Sequence, residues 1–283
     1  MNALRSISAI VLFSGLLTGP AFGQTVPPNQ LGENAALRYW SAFAQMQDLA
    51  VMSGKIPGLD DPSVKELFEK NKAALDTMYR GTLLPNCDWG IEYQLGARTP
   101  VEYVRKALIL GNLNGLYVMY LWKHGDTEGA VRALIAGLRF SHDVANDGTL
   151  FATEAAAHLL MDHLPMIPNI VHGGIPPVQR MALQKAVAQL GSAGLDWQGA
   201  VKRELGLYRG TDHHLTAQSL AALSQITPLY VTAMSDPSMV PRLQKMIEDA
   251  PLDLRNLIPL PERVVQVEES LQNHLAETRG LLQ

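Results

Sequence analysis

Residues 107–122 read "ALILGNLNGLYVMYLW", and no other stretch constrains the fold as strongly. It is apolar on every side of a helical wheel except at Asn112 and Asn114. A helix of that kind has to be covered all round, which places it in the middle of a soluble bundle. Gly111 and Gly115 lie four apart on one face and would let a neighbouring backbone approach closely. The two asparagines need partners if buried, because an unpaired amide costs ~1–3 kcal/mol.

The rest of the chain reads as helix too. There is no sustained alternation of period two and no Asn-Gly hairpin. "DDPS" at 60–63 and "RTPVE" at 98–102 each set a capping residue before a proline at the first helical position. "HGDTEGAV" at 124–131 ends one helix at a glycine and opens another at Asp126. The first helix is expected over 33–53, where Ala36, Tyr39, Trp40, Phe43, Met46 and Ala50 form one apolar face. A second covers 62–80, with Glu66 and Lys70 spaced for an ion pair. Further helices follow over 126–147, 149–170, 176–193, 196–210, 212–234, 237–249 and 261–279, and Pro165 and Pro168 disturb the second of this set. In the final one Val264, Val267, Leu271 and Leu275 form a narrow apolar stripe. The fold class expected is all-α: about nine to ten helices in stacked antiparallel hairpins. "HGGIPP" at 172–177 and "PLDLRNLIPLP" at 251–261 are the candidate lobe breaks, but neither is long or polar enough for a free linker, so 24–283 is expected to be a single helical domain.

Residues 1–23 have the build of a cleaved export signal. Arg5 is the positive n-region, Ile7–Leu17 the apolar run, and Ala21 and Gly23 the small residues before a cut ahead of Gln24. The apolar run is too short to span a bilayer, and no cysteine follows it to carry a lipid, so no membrane anchor is expected after cleavage. Removing Arg5 takes the net charge from −4 to −5, and no Lys/Arg cluster stands out. Nucleic acid is excluded on that ground, because phosphate needs a basic stripe. A mature chain of 260 residues buries a large core without disulfides, and with one cysteine it can form none internally.

That cysteine, Cys87, lies in "NCDWGIEYQLGARTP", residues 86–100. A thiol nucleophile needs a base and a lowered pKa. Asp88 beside it works in the opposite direction, so Cys87 reads as structural, with Trp89 and Ile91 filling a groove between helices and Gly90 making the turn. "TEAAAHLLMDHLPM" at 153–166 is the strongest candidate for chemistry. Glu154, His158 and Asp162 are four apart on one helical face, and His163 follows directly. Carboxylates with imidazole suit a hard or borderline metal, while His158, Met161, His163 and Met166 would suit copper(I). Against both stands the plain reading of a solvated stripe with methionine as core filler. In "TDHHL" at 211–215 adjacent histidines diverge by about 100°, and Asp212 reads as a helix cap. Phosphate-cradling, dinucleotide, nucleophile-elbow, haem and paired CxxC motifs are all missing from the mature chain, and nothing calls for a cofactor.

"GDTEGAVRALIAGL" at 125–138 resembles the turn and second helix of a tetratricopeptide repeat, with Gly125 at the turn and Ala130, Leu134 and Gly137 at packing positions. The likeness covers one hairpin and implies stacked helical hairpins. Three further elements are similar to a family of exported, all-helical bacterial proteins without an assigned activity. They are Asn34-Ala35-Ala36 with Tyr39-Trp40, Cys87-Asp88-Trp89-Gly90, and Gly125-Asp126. The expected function is an exported helical scaffold that binds a peptide, protein or wall-associated ligand on a concave surface. A metal-binding protein or metal-dependent enzyme using Glu154, His158, Asp162 and His163 is the alternative, and a purely structural oligomer the third reading.

Overall fold

Helix α1 (Ala35–Gln45) starts where Asn34 Oδ1 accepts from the Ala36 N–H at 3.0 Å. Five more starts use the same device, a short polar side chain covering an otherwise unpaired first-turn N–H. Asp61 caps α2 (Pro62–Thr82) and Asp126 caps α4 (Thr127–Val144). Thr149 caps α5 (Leu150–His163), Asp196 caps α8 (Trp197–Leu207), and Thr216 caps α9 (Ala217–Ala233). The remaining helices are α3 (Glu102–Lys123), α6 (Met166–His172), α7 (Pro177–Gln189), α10 (Val240–Glu248), the short α11 (Leu252–Arg255) and α12 (Pro261–Leu282). The computed structural model describes residues 32–47, 58–99, 101–209 and 215–283. Among them it is all-α, with one isolated bridge between Asn34 and Asn86.

Helices α3, α4 and α5 pack on one another and form the centre. The α1–α2 hairpin covers one side of them, and α7, α8 and α12 cover the other. Helix α9 packs on α8, and α10 on α9. Gly111 is where α3 meets α5 most closely: a Cβ there would lie 2.5 Å from Leu159 Cδ2. At Gly115 the same test finds Met166 Cε at 3.4 Å and His163 Nε2 at 3.8 Å, ordinary contacts. Of the two asparagines, Asn112 is exposed and Asn114 is buried. Asn114 Oδ1 accepts from Tyr79 at 3.0 Å, and its amide faces the Ala133 carbonyl at 3.1 Å and His163 Nε2 at 3.2 Å. This buried network ties α2, α3, α4 and α5 together, and every polar atom named in it has a partner.

Several expected boundaries move: α1 ends at Gln45 rather than near residue 53, and α9 starts at Ala217 rather than 212. Thr99 does not cap α3, which begins at Glu102; its hydroxyl donates instead to the Glu92 carbonyl at 3.1 Å and closes the 3-10 turn Tyr93–Arg98. The expected 149–170 helix splits into α5 and α6 at Leu164 and Pro165, because a proline ring clashes with the preceding turn and brings no N–H. The Glu66–Lys70 pair is present at 2.7 Å on exposed surface. No helix of the described residues is long and apolar enough to cross a membrane. The signal segment 1–23 and the pair His213–His214 lie outside the described residues.

Candidate functional site

The Cys87 loop packs on the C-terminal end of α4, where helix carbonyls lack intrahelical partners. Trp89 Nε1 donates to the Asp143 carbonyl at 2.8 Å, and the Cys87 thiol reaches the same oxygen at 3.6 Å. Tyr103 donates to the Val144 carbonyl at 3.2 Å, Tyr93 to that of Asp147, and Arg203 Nε to that of Gly148 at 2.8 Å. Asn34 clips the loop to α1, its amide donating to the Asp88 carbonyl at 2.8 Å and its oxygen accepting from the Asp88 N–H at 2.9 Å. Asp88 Oδ1 accepts from the Gly90 N–H at 2.8 Å, a turn that requires the positive φ of 66° at Gly90. Trp89 is buried and stacks on Tyr103 at 4.1 Å between ring centres, with Tyr39 and Phe43 on its other contacts.

Cys87 is buried, and burial, followed by the Asp143 carboxylate, pushes its thiol pKa well above the usual thiol range. A protonated thiol is a poor nucleophile. An alkylating reagent should therefore label the native protein slowly and the unfolded chain at the ordinary thiol rate. Equal rates in the two states would contradict this placement.

Glu154, His158, Asp162 and His163 do not converge. His158 and Asp162 are exposed, while Glu154 reaches Arg263 at 3.5 Å. His163 turns into the core on the other side of α5, where its Nδ1–H donates to the Leu159 carbonyl at 2.6 Å. Its Nε2 is then left to accept from Asn114 at 3.2 Å, so no lone pair remains for a metal. Burial also lowers the His163 pKa, which keeps the ring neutral. Among the described residues no group of three or more His, Cys, Asp and Glu could hold a metal ion.

A pocket of about 410 Å³ lies instead between the start of α8, the α9–α10 turn and α12. Gly194 sets its geometry. It takes φ +74°, and a Cβ there would lie 2.9 Å from Leu275 Cδ1, so only glycine lets the chain entering α8 press against α12. Asp196 then accepts from the Gly199 N–H at 2.9 Å and from Arg203 at 3.3 Å, which fixes the first turn of α8. Trp197 follows, 2% exposed, with an indole Nε1 that has no hydrogen-bond partner. Across from it α12 contributes Glu268, 6% exposed, whose carboxylate accepts from Gln272 at 3.1 Å. Burial, and then the neighbouring Glu269, raise the Glu268 pKa from 4.5 to about 7. Met234, Leu195 and Val265 supply apolar wall.

Glu268 gives a stability signature with a definite sign. Its carboxyl holds a proton more tightly in the fold than in the unfolded chain. Stability is therefore highest below the unfolded value of 4.5 and declines as pH rises toward about 7. Glu268→Gln mimics the protonated form, so it should melt above the parent protein at pH 8 and lose that advantage at pH 5. The same advantage at both pH values would contradict the shift.

No known family model, curated protein or solved structure matches this chain.

Proposed function

We propose that this protein is an exported helical scaffold that binds a small organic ligand in the pocket between α8 and α12. One observation carries the reading: a pocket of about 410 Å³ holds the Glu268 carboxylate, its pKa raised to about 7, beside an apolar wall of Leu195, Met234 and Val265. The pocket volume of about 410 Å³ falls within the range of small-molecule sites. Polar groups converging beside apolar side chains, one of them with a shifted pKa, are the usual marks of such a site. Binding alone requires neither a nucleophile nor a metal. Export is part of the proposal and rests on residues 1–23 only.

Thermal melts with a panel of amines, amino acids, peptides and carboxylates test the reading. At least one compound should raise the midpoint of the parent protein and leave Glu268→Gln unmoved, since a ligand selective for the folded state stabilises it by mass action. If every stabilising compound acts equally on both proteins, or none acts on either, the pocket is not a ligand site.

A further inference from the structure

We infer that a second pocket, at the Cys87 loop, binds a free α-amino acid, its carboxylate on Arg139 and His142 and its ammonium on Asp88. This site is independent of the pocket between α8 and α12. A cavity of about 370 Å³ lies between residues 85–88 of the loop and the C-terminal end of α4, which is room for a small molecule. Its cationic side belongs to α4. Arg139 and His142 are three apart, hence on one helical face, and both line the cavity. Arg139 Nε sits 3.0 Å from Asp143 Oδ1 but off the line of a hydrogen bond. The remaining guanidinium donors, on the two terminal amino groups, meet no acceptor among the described residues. The side chain is 34% exposed, and with Nε buried that exposure belongs to its other atoms. His142 has only Asp143, at 4.0 Å, and its side chain is 32% exposed. A guanidinium with both terminal groups free takes a carboxylate through two parallel hydrogen bonds.

The anionic side belongs to the loop. Asp88 Oδ1 accepts from the Gly90 N–H at 2.8 Å, and Oδ2 meets no donor among the described residues. Asn34 holds the Asp88 backbone at both its N–H and its carbonyl, and Asn146 donates to the Cys87 carbonyl. The carboxylate therefore stands on a fixed frame before any ligand arrives, which lowers the cost of binding. Asp147 adds an exposed acid, with Arg203 as far off as 3.9 Å. A simple anion would enter beside Asp88 and Asp147, and a simple cation beside Arg139. A ligand that bears both charges avoids either conflict, and an α-amino acid carries them on one carbon. Asn86 and Asn146 line the remainder with side-chain amides, which favour a polar, uncharged side chain on that ligand.

Calorimetric titration of the whole protein at neutral pH separates these elements. The probes are L-serine, L-asparagine and L-glutamine, each with its α-amide, which lacks the carboxylate, and its N-acetyl derivative, which lacks the ammonium. At least one of the three amino acids should bind. Each of its two derivatives should be weaker by about tenfold or more, the loss expected for a charged hydrogen bond. Asp88→Asn keeps an Oδ1 acceptor for the Gly90 N–H and removes the charge. It should weaken the amino acid and its α-amide and leave the N-acetyl derivative unchanged. Arg139→Lys keeps a cation beside Asp143 and removes the fork, so it should weaken the amino acid and the N-acetyl derivative and leave the α-amide unchanged. Glu268→Gln should bind the amino acid as the parent protein does. The comparison of probes on the parent protein stands even if a variant fails to fold. Absence of binding by all three amino acids, or equal binding of either derivative, would overturn the inference. Binding kept in Asp88→Asn and lost in Glu268→Gln would also overturn it, and would place the amino acid between α8 and α12 instead.

Discussion

Trp89→Ala should lower the melting midpoint by roughly 6–20 °C, the range given by a ~3–5 kcal/mol loss in a domain of this size. The indole is the centre of the aromatic group that joins the Cys87 loop to α1 and α3. It stacks on Tyr103 with centres 4.1 Å apart and lies parallel to Phe43 at 6.2 Å. Truncation removes those contacts and leaves a cavity that fixed helices on both sides resist closing. It also deprives the Asp143 carbonyl of the donor that Nε1 supplies at 2.8 Å. A melt unchanged by the substitution would mean that Trp89 packs against nothing.

Asp143→Ala should be the next most damaging single change, at about 3 kcal/mol for breaking a buried charged pair. The Asp143 side chain is buried at the end of α4, where Oδ2 accepts from the Tyr39 hydroxyl at 2.6 Å and Oδ1 faces Arg139 Nε at 3.0 Å. Removing the carboxylate strands a fully buried phenol and a guanidinium only one third exposed. Tyr39→Phe in the same chain removes the stranded phenol, so the double variant should be more stable than the sum of the two single effects. Strict additivity would show that Tyr39 and Asp143 do not interact. Burial and the Asp143 charge both raise the Tyr39 pKa, so the phenol stays protonated and keeps donating.

The helical class was legible because it rests on local rules. Asp61 before Pro62 and Asp126 before Thr127 open α2 and α4 at the residues their types indicate. The exceptions involve side chains drawn away by tertiary partners. Thr99 had the offset of a cap, but the Glu92 carbonyl takes its hydroxyl. His163 had the spacing of a ligand, but α5 turns it toward Asn114 and away from Glu154, His158 and Asp162. Glu268 shows what hydrophobicity alone passes over. The sequence pattern puts Val264, Val267, Leu271 and Leu275 in one stripe, yet the buried positions on that face are 264, 268, 271 and 275, with Val267 half-buried. A glutamate four residues after Val264 and three before Leu271 was the available signal. Trp197 left no such trace, since an indole without a partner looks like any core tryptophan until neighbouring helices are in place. Asn34 and the Cys87 loop, read separately as two motifs, turn out to be hydrogen-bonded to each other.

The indole Nε1–H resonance of Trp197, identified by its loss in Trp197→Phe, gives the most direct test of the binding pocket. In the ligand-free protein this proton has no acceptor and should resonate at the upfield end of the indole region. Saturation with any compound that stabilises the parent protein selectively should shift it, because Trp197 lines the pocket. Trp40, Trp89 and Trp122 provide internal references, with Trp89 already bonded at 2.8 Å. A Trp197 proton unmoved by every stabilising compound would show that none of them binds beside it, and the pocket would not be a ligand site.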